Sequence, residues 1–456
     1  MIRRTSTILS HQILSKRNWV DMHPVLLARI TEADFVSFDY ELTGLHEKNE
    51  RYIGVPQCYD AHCEGVKKFI PVQLGVCAAK LIGNKWTLTP ASIYLYPNNT
   101  PAVDDSSPCF SVSTSALNFL VQNGFDCNEW ITQGLGWLKP NDEAERRKSI
   151  QARIDEITAL MSKQETVQDG SSNSDLPIEI PSVADKEAME KVRADILQWN
   201  KSTECLEIPM DSAFLRLIAH SFISREFPHL FSHSVRRGDQ RLICVYKDKN
   251  RLFKEQLNSL ESEMSRLDQE LGARGVFDAI SKAKVPVIGH NCFYDLLHTY
   301  HSFYGETPAH VDQFKQRWLA KFARTFDTKY LAESNDILGG LQPPATLKGL
   351  CDFMMQSTKD PVSFDIHNLD QSVYQLKDDL SHDAGYDAMM TSLVFLHQLK
   401  HILDRKSLSF ENIDFKSASS KPGTSTIPIH DLLRSGVNRI RLVRTQPSFI
   451  NLKERE

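Results

Sequence analysis

Asp39 and Glu41 stand one residue apart in the run DFVSFDYELTGL, Asp34 to Leu45. Phe35, Val36 and Phe38 suit a buried strand, and residues i and i+2 of a strand point to one face, so the two carboxylates lie side by side. Carboxylates that close take up a proton or share a cation, and Mg²⁺ is the ordinary hard partner for oxygen ligands. The competing reading is a half-exposed strand end with two solvated acids, ordinary in a chain with 58 Asp and Glu. A third acid, Asp295, lies on a helix after the turn Gly289-His290-Asn291, and a fourth, Asp387, enters an apolar helix five residues after His382.

Those side chains need a sheet and helices to hold them. Met22 to Ile30 reads as a helix leading into the first strand, and Leu45 to Phe69 as a polar stretch broken by Gly54, Pro56 and Gly65. PVQLGVCAAKLIG and WTLTPASIYLYP, joined by a Gly83-Asn84 turn, continue as the second and third strands of one mixed sheet. Helices follow at Thr114 to Asn123, Val276 to Ala283 and Phe314 to Phe322, with an apolar strand at Lys284 to Ile288.

Between these segments the pattern changes. Ile150, Ile154, Ile157 and Met161, and later Phe253, Leu257, Leu260, Met264, Leu267 and Leu271, alternate by three and four, which gives two helices a narrow apolar seam. We read an antiparallel stalk; a dimerisation coil is the alternative. A linker, TVQDGSSNSD, reads as flexible and leads to an inserted segment ordered helix, helix, strand, Gly238-Asp239 turn, strand. Arg216 and His220 face together on its second helix, and Arg236, Arg237, Arg241 and Lys247 form a basic edge suited to a phosphate backbone. Taken alone, Arg and His four apart on a helix usually mean an exposed polar face, so the reading leans on the length and order of the segment.

With 456 residues, 41% hydrophobic and 24% charged, the chain is ordinary globular protein of two or three domains. A net charge of −5 gives no global nucleic-acid signature, so a polyanion would be held by a local groove or by metals. Nine cysteines without a C-x-x-C pair argue for reduced thiols in an intracellular protein and against a zinc cluster. No run reaches the ~18 to 20 apolar residues that span a bilayer, so no membrane segment is expected. The first twenty residues carry Arg3, Arg4, Lys16 and Arg17 and no acid, which suits a mitochondrial presequence or a short basic extension.

FDYE, PVIGHNCFYD and HDAGYDA resemble the three motifs of the DEDD superfamily of 3′ exonucleases, and His382 resembles the histidine of its DEDDh branch. Within that branch the chain is most similar to the poly(A)-specific ribonuclease (PARN) family. PVQLGVCAAK, SIYLYP, ALNFLVQNGFD, DTKYLA and VNRIRLVRTQPSFINL match in order, and the inserted segment resembles an R3H domain, named for its Arg-x-x-x-His spacing. The resemblance covers about residues 20 to 452. Tyr40 departs from it, standing where the family usually has a small residue. The chain also ends where long members continue into an RNA recognition motif, and it lacks the C-terminal membrane anchor of some animal relatives. It is closest in layout to short members such as the fungal small-RNA trimmer.

The resemblance implies an α/β, ribonuclease H-like mixed sheet flanked by helices, with an R3H-like α/β domain inserted on an antiparallel helical stalk. The expected division is a basic extension at 1–20, a nuclease domain at 21–140 and 273–456, stalk and linker at 141–180, the R3H-like domain at 181–249 and a returning stalk helix at 250–272. It implies a 3′→5′ exoribonuclease releasing 5′-monophosphates with two Mg²⁺ ions, ~3.5 to 4 Å apart, for which Mn²⁺ can substitute. Asp39 would bridge both ions, Glu41 and Asp387 complete one site, Asp295 supports the other, and His382 accepts the proton of the attacking water.

Lys329 is similar to an RNA-contacting lysine of the family. Leu45 and Phe110 fall near positions that pack against 3′-terminal bases, with core packing as the alternative. Asp327, Asp378, Asp379 and Asp383 lack the motif spacing and are expected at the surface or behind the site, while His290 and His298 are expected to be structural or exposed rather than ligands.

The implied partners are single-stranded RNA 3′ ends and a second copy of the chain. The substrate reading favours 3′ trimming of small RNAs, Argonaute-bound ones included, over removal of poly(A) tails from messenger or noncoding RNA. A non-catalytic RNA-binding protein and a DNA nuclease are the remaining readings. Cytoplasm or nucleus is the expected compartment, with the mitochondrion as the alternative.

Overall fold

The computed structural model describes residues 12–45, 54–97, 109–164, 182–199, 203–237, 240–339, 341–358, 360–370, 382–417 and 426–454. Arg3 and Arg4, the linker TVQDGSSNSD, the Gly238-Asp239 turn and the acids Asp378 and Asp379 lie outside the described residues. The chain divides into two compact units, one formed by Met1–Glu143 with Gln269–Glu456, the other by Ala144–Asp268.

In chain order β1 is Gln12–Leu14, β2 Phe35–Leu42, β3 Pro71–Ile82 and β4 Lys85–Tyr94. The inserted unit supplies β5 (Cys205–Pro209), β6 (Phe231–Arg237) and β7 (Gln240–Tyr246), after which come β8 (Val287–Gly289), β9 (Thr325–Asp327) and β10 (Phe364–Ile366).

The discontinuous unit holds a sheet of order β1-β4-β3-β2-β8-β9, with β10 as a further partner of β4. β2, β3 and β4 are antiparallel, while β8 joins β2, and β9 joins β8, in parallel. Gly83 makes the tight β3–β4 turn at φ +62°, a left-handed conformation that favours glycine. Period-two alternation divides the sheet into two apolar faces. Val36, Phe38, Tyr40 and Leu42 pack with helices Trp19–Glu32, Arg274–Ala283 and Phe293–Phe303, and Phe35, Cys77 and Ala79 pack with helix Ala384–Arg405. The result is the expected ribonuclease H-like mixed sheet between helices.

One stretch departs from the sequence reading. The polar segment after Leu45 contains a helix, Val55–Lys68, whose Val55, Cys58, Tyr59, Cys63 and Val66 are buried. Two cysteines and a tyrosine carry that apolar stripe, and Pro56 sits in the first turn, where its missing N–H costs nothing.

The inserted unit has a three-stranded sheet of order β5-β7-β6. Met189, Val192, Ile196, Ile218, Phe222, Ile223, Ile243 and Val245 form its core. Its order is helix, strand, helix, strand, strand, so β5 intervenes between the two helices read as consecutive. The two long arms run antiparallel within this unit, with Arg147 paired to Asp268 and Arg153 to Glu263. Ile150, Leu260 and Leu267 are buried along the seam. Among the described residues no helix is long and apolar enough to cross a membrane, and all nine cysteines are free thiols.

Candidate active site

β2 delivers Asp39 and Glu41 to one face, opposite Gly75 and Gln73 of β3. The start of helix Ala384–Arg405 rests on these partners. A Cβ on Gly75 would stand 1.7 Å from the Ala384 carbonyl oxygen, so glycine is what lets the helix begin against the sheet. Gln73 accepts from the Ala384 N–H at 3.1 Å and donates to Asp383 at 3.0 Å. Asp383 also takes the Ser92 hydroxyl at 2.5 Å and caps the helix through the Gly385 and Tyr386 N–H groups. Asp387, one turn into that helix, is thereby fixed beside β2.

His382 precedes the cap at φ +76°. Its backbone N–H donates to both carboxylate oxygens of Asp387, at 3.4 and 3.3 Å. Its exposed ring meets Phe119 edge-on, with centroids 4.6 Å apart. A ligand atom from each of Glu41, His382 and Asp387 lies within 4.8 Å of the other two.

Asp295 arrives from the opposite side of the sheet, in the first turn of helix Phe293–Phe303. That helix is anchored by Asp327 at the end of β9. Fully buried, Asp327 accepts N–H bonds from Asn291, Cys292, Lys329, Tyr330 and Arg441. Five amides stabilise one carboxylate and tie three chain segments together.

The electrostatics are those of crowded acids. Burial and then the charges of Asp295, Asp387, Glu41 and Asp383 hold Asp39 well above the usual carboxylate range. Glu41 is raised by burial and then by Asp387, Asp383 and Asp295. Asp295 is pushed up to about 7 by burial and by Asp327. A divalent cation held by these oxygens would remove the repulsion, so the donor set fits Mg²⁺ or Mn²⁺. Asp39, Glu41, Asp295 and Asp387 are the residues that would hold it.

The other expected residues fall differently. Leu45 is 54% exposed, and its carbonyl accepts the Tyr294 hydroxyl. Lys329 turns its amine onto the Ala345 carbonyl, 3.9 Å from Glu333. Phe110 sits edge-on to Tyr96 and Trp130 in an aromatic cluster, while the ring beside His382 is Phe119. Nothing in the sequence separates those two phenylalanines. His290 bonds the Thr328 hydroxyl at 2.9 Å, and buried His298 is pushed down to about 3 by desolvation and its histidine neighbours.

In the inserted unit Arg216 is buried, donating to the Met210 and Asp211 carbonyls, and His220 lies between the hydroxyls of Ser232 and Ser234. This places the motif arginine against backbone instead of on the exposed polar face. Asp327 and Asp383, read as surface or supporting acids, are the anchors of the two acid-bearing helices. Asp383 carried a signal, an N-cap residue directly before an apolar helical run.

A ribonuclease H-like sheet whose strand β2 and two flanking helices gather four carboxylates, with a histidine beside them, defines a class of carboxylate-rich α/β fold. A family model described as CAF1 family ribonuclease matches residues 14–395, and the chain belongs to that family. It is 26% identical over 403 residues to the human poly(A)-specific ribonuclease PARN, covering 84% of this chain and 61% of that protein. To the mouse poly(A)-specific ribonuclease PNLDC1 it is 24% identical, covering 94% and 77%. An uncharacterized Schizosaccharomyces pombe protein is 25% identical, with 84% and 92% covered.

The chain thus spans about three fifths of the length of the PARN relatives it matches. Among solved structures, S. pombe Pop2p in its Mg²⁺- and Mn²⁺-bound form aligns with TM-score 0.39 and 11% identity over 86% of this chain and 92% of that one.

Proposed function

We propose that this protein is a divalent-metal-dependent 3′→5′ exoribonuclease that removes nucleotides one at a time as 5′-monophosphates. The observation that carries the reading is the convergence of Asp39, Glu41, Asp295 and Asp387 from three separate elements, with His382 at their exposed side. The ions, when bound, activate water and compensate charge on the leaving 3′ oxygen of an in-line displacement. Asp39 and Glu41 would hold them from the strand, Asp387 from one helix and Asp295 from the other. The His382 ring, carried on a backbone whose N–H is bonded to Asp387 and set edge-on to Phe119, accepts the proton of the attacking water. Phe119, 42% exposed, offers an aromatic face beside that ring.

Two substrates follow from the reading. One is trimming of small-RNA 3′ ends, Argonaute-bound ones included. Removal of adenosine tails is supported by relatives named poly(A)-specific ribonuclease. A time course with Mg²⁺ on a 5′-labelled RNA, a mixed sequence followed by a 3′ adenosine tail, separates them. A ladder that stops at the tail boundary supports deadenylation, and one that runs on supports general trimming. No ladder with RNA still bound would overturn catalysis in favour of a binding protein. The proposal includes a homodimer, tested by sedimentation, and an intracellular setting, which the free thiols support.

A further inference from the structure

The four acids come to the site from both faces of the sheet. Asp39 and Glu41 share the face on which Ser37 donates to the Ala388 carbonyl at 2.6 Å and meets the Ser392 hydroxyl, so their relation to Asp387 is fixed directly. Asp295 belongs to the helix packed on the other face, with Phe38, Tyr40 and Leu42 beneath it. Something must set the height of that helix against β2, because metal ligands tolerate displacements of only about 0.2 Å.

We propose that Tyr40, the residue between the two strand acids, is that strut. Alternation turns its side chain away from Asp39 and Glu41 and under helix Phe293–Phe303. It is 6% exposed, edge-on to Phe38 with centroids 5.9 Å apart and stacked on Phe277 at 6.5 Å, so the ring has little freedom. Its hydroxyl lies 3.0 Å from Thr299 Oγ1, and the Thr299 hydroxyl donates to the Asp295 carbonyl at 2.8 Å. Threonine has one hydroxyl proton, already given to Asp295, so Tyr40 is the donor to Thr299. One hydrogen-bonded line therefore runs from the residue between two acids to the backbone of the third. Tyr40 acts as a positioning residue: it leaves the reacting atoms untouched and holds Asp295 in register with Asp39.

This inference rests on the metal-site reading above, and one experiment distinguishes their failures. Mn²⁺ is titrated into the full chain and into Tyr40→Phe, Thr299→Val, the double variant and Asp39→Asn, with bound metal followed by calorimetry and by electron paramagnetic resonance. Tyr40→Phe and Thr299→Val are each expected to weaken one Mn²⁺ about 10-fold, in the manner of other residues that orient metal ligands. The double variant should be no weaker than either single one, as for two links of one line. kcat should fall with the KM for RNA unchanged, while the metal-free melting temperature drops by only about 2–4 °C.

If the unsubstituted chain takes up no Mn²⁺, or Asp39→Asn binds it equally well, the metal-site reading falls and the strut with it. If that reading holds and the Tyr40→Phe titration overlays the unsubstituted one, Tyr40 is a packing residue and the strut alone is overturned.

Discussion

His382 combines an exposed imidazole with a backbone at φ +76° whose N–H is bonded to Asp387. Asparagine tolerates that conformation, so His382→Asn separates chemistry from strain. We expect a 10²- to 10⁴-fold loss of kcat with Mn²⁺ binding largely kept, measured by single-turnover RNA cleavage.

Asp295 sets a pH dependence. Its carboxyl, pushed up to about 7 when folded, holds a proton that the unfolded chain releases near 3.8. Between those values the folded state binds more protons, so the metal-free protein loses stability as pH rises from about 4 through 7. Thermal melts in chelator should therefore fall over that window, and Mg²⁺ at pH 7.5 should restore them. Mn²⁺ affinity should climb through the same window as the proton is displaced.

Asp39 and Glu41 were legible because a strand's period of two needs only three residues of context. Asp327 was not, because its importance lies in amides contributed by segments far away in sequence, such as Arg441, and Asp383 showed its N-cap position but not its distant partners Gln73 and Ser92.

Helix starts position this site. Gly75→Ala puts a methyl group into the Ala384 carbonyl and should lift helix Ala384–Arg405 from β3. A cost of about 1–3 kcal/mol by denaturant titration is expected, with Asp387 displaced and Mn²⁺ affinity lowered. In the inserted unit, Arg216→Ala leaves two carbonyls without their guanidinium partner. It should destabilise that unit by about 1–3 kcal/mol while RNA affinity, measured by fluorescence anisotropy, stays within twofold of the unsubstituted value.

The same elements mark how far the sequence could be read. The two long helices Pro140–Gln164 and Lys249–Glu270 were legible because heptad spacing persists over several turns. Helix Val55–Lys68 did not, since cysteine and tyrosine supply half its buried stripe and Gly54, Pro56 and Gly65 resemble loop punctuation. β5 escaped because five residues ending in Pro209 show too little alternation to stand out.

Each of the two units keeps its own core. Expressed alone, residues 144–268 should melt cooperatively at a temperature that Mg²⁺ leaves unchanged, whereas the complete chain gains a Mg²⁺-stabilised transition, both followed by calorimetry. The fold class was legible at this level because the motifs occur in the order the sheet requires. The pairing of β10 beside β1 on the edge of β4 was not, as three-residue strands carry no period of their own.

The long sequence separation between β2 and helix Ala384–Arg405, 351 residues between Ser37 and Ala388, bears on how the chain is made. On the ribosome the inserted unit, whose contacts lie within one continuous stretch, can complete itself early. β2 must wait, with its acids uncompensated and its partners β8 and the last long helix still unsynthesised. On the proposed reading, a nascent chain would lack Asp387, and with it a full set of acids, until the last long helix has been made.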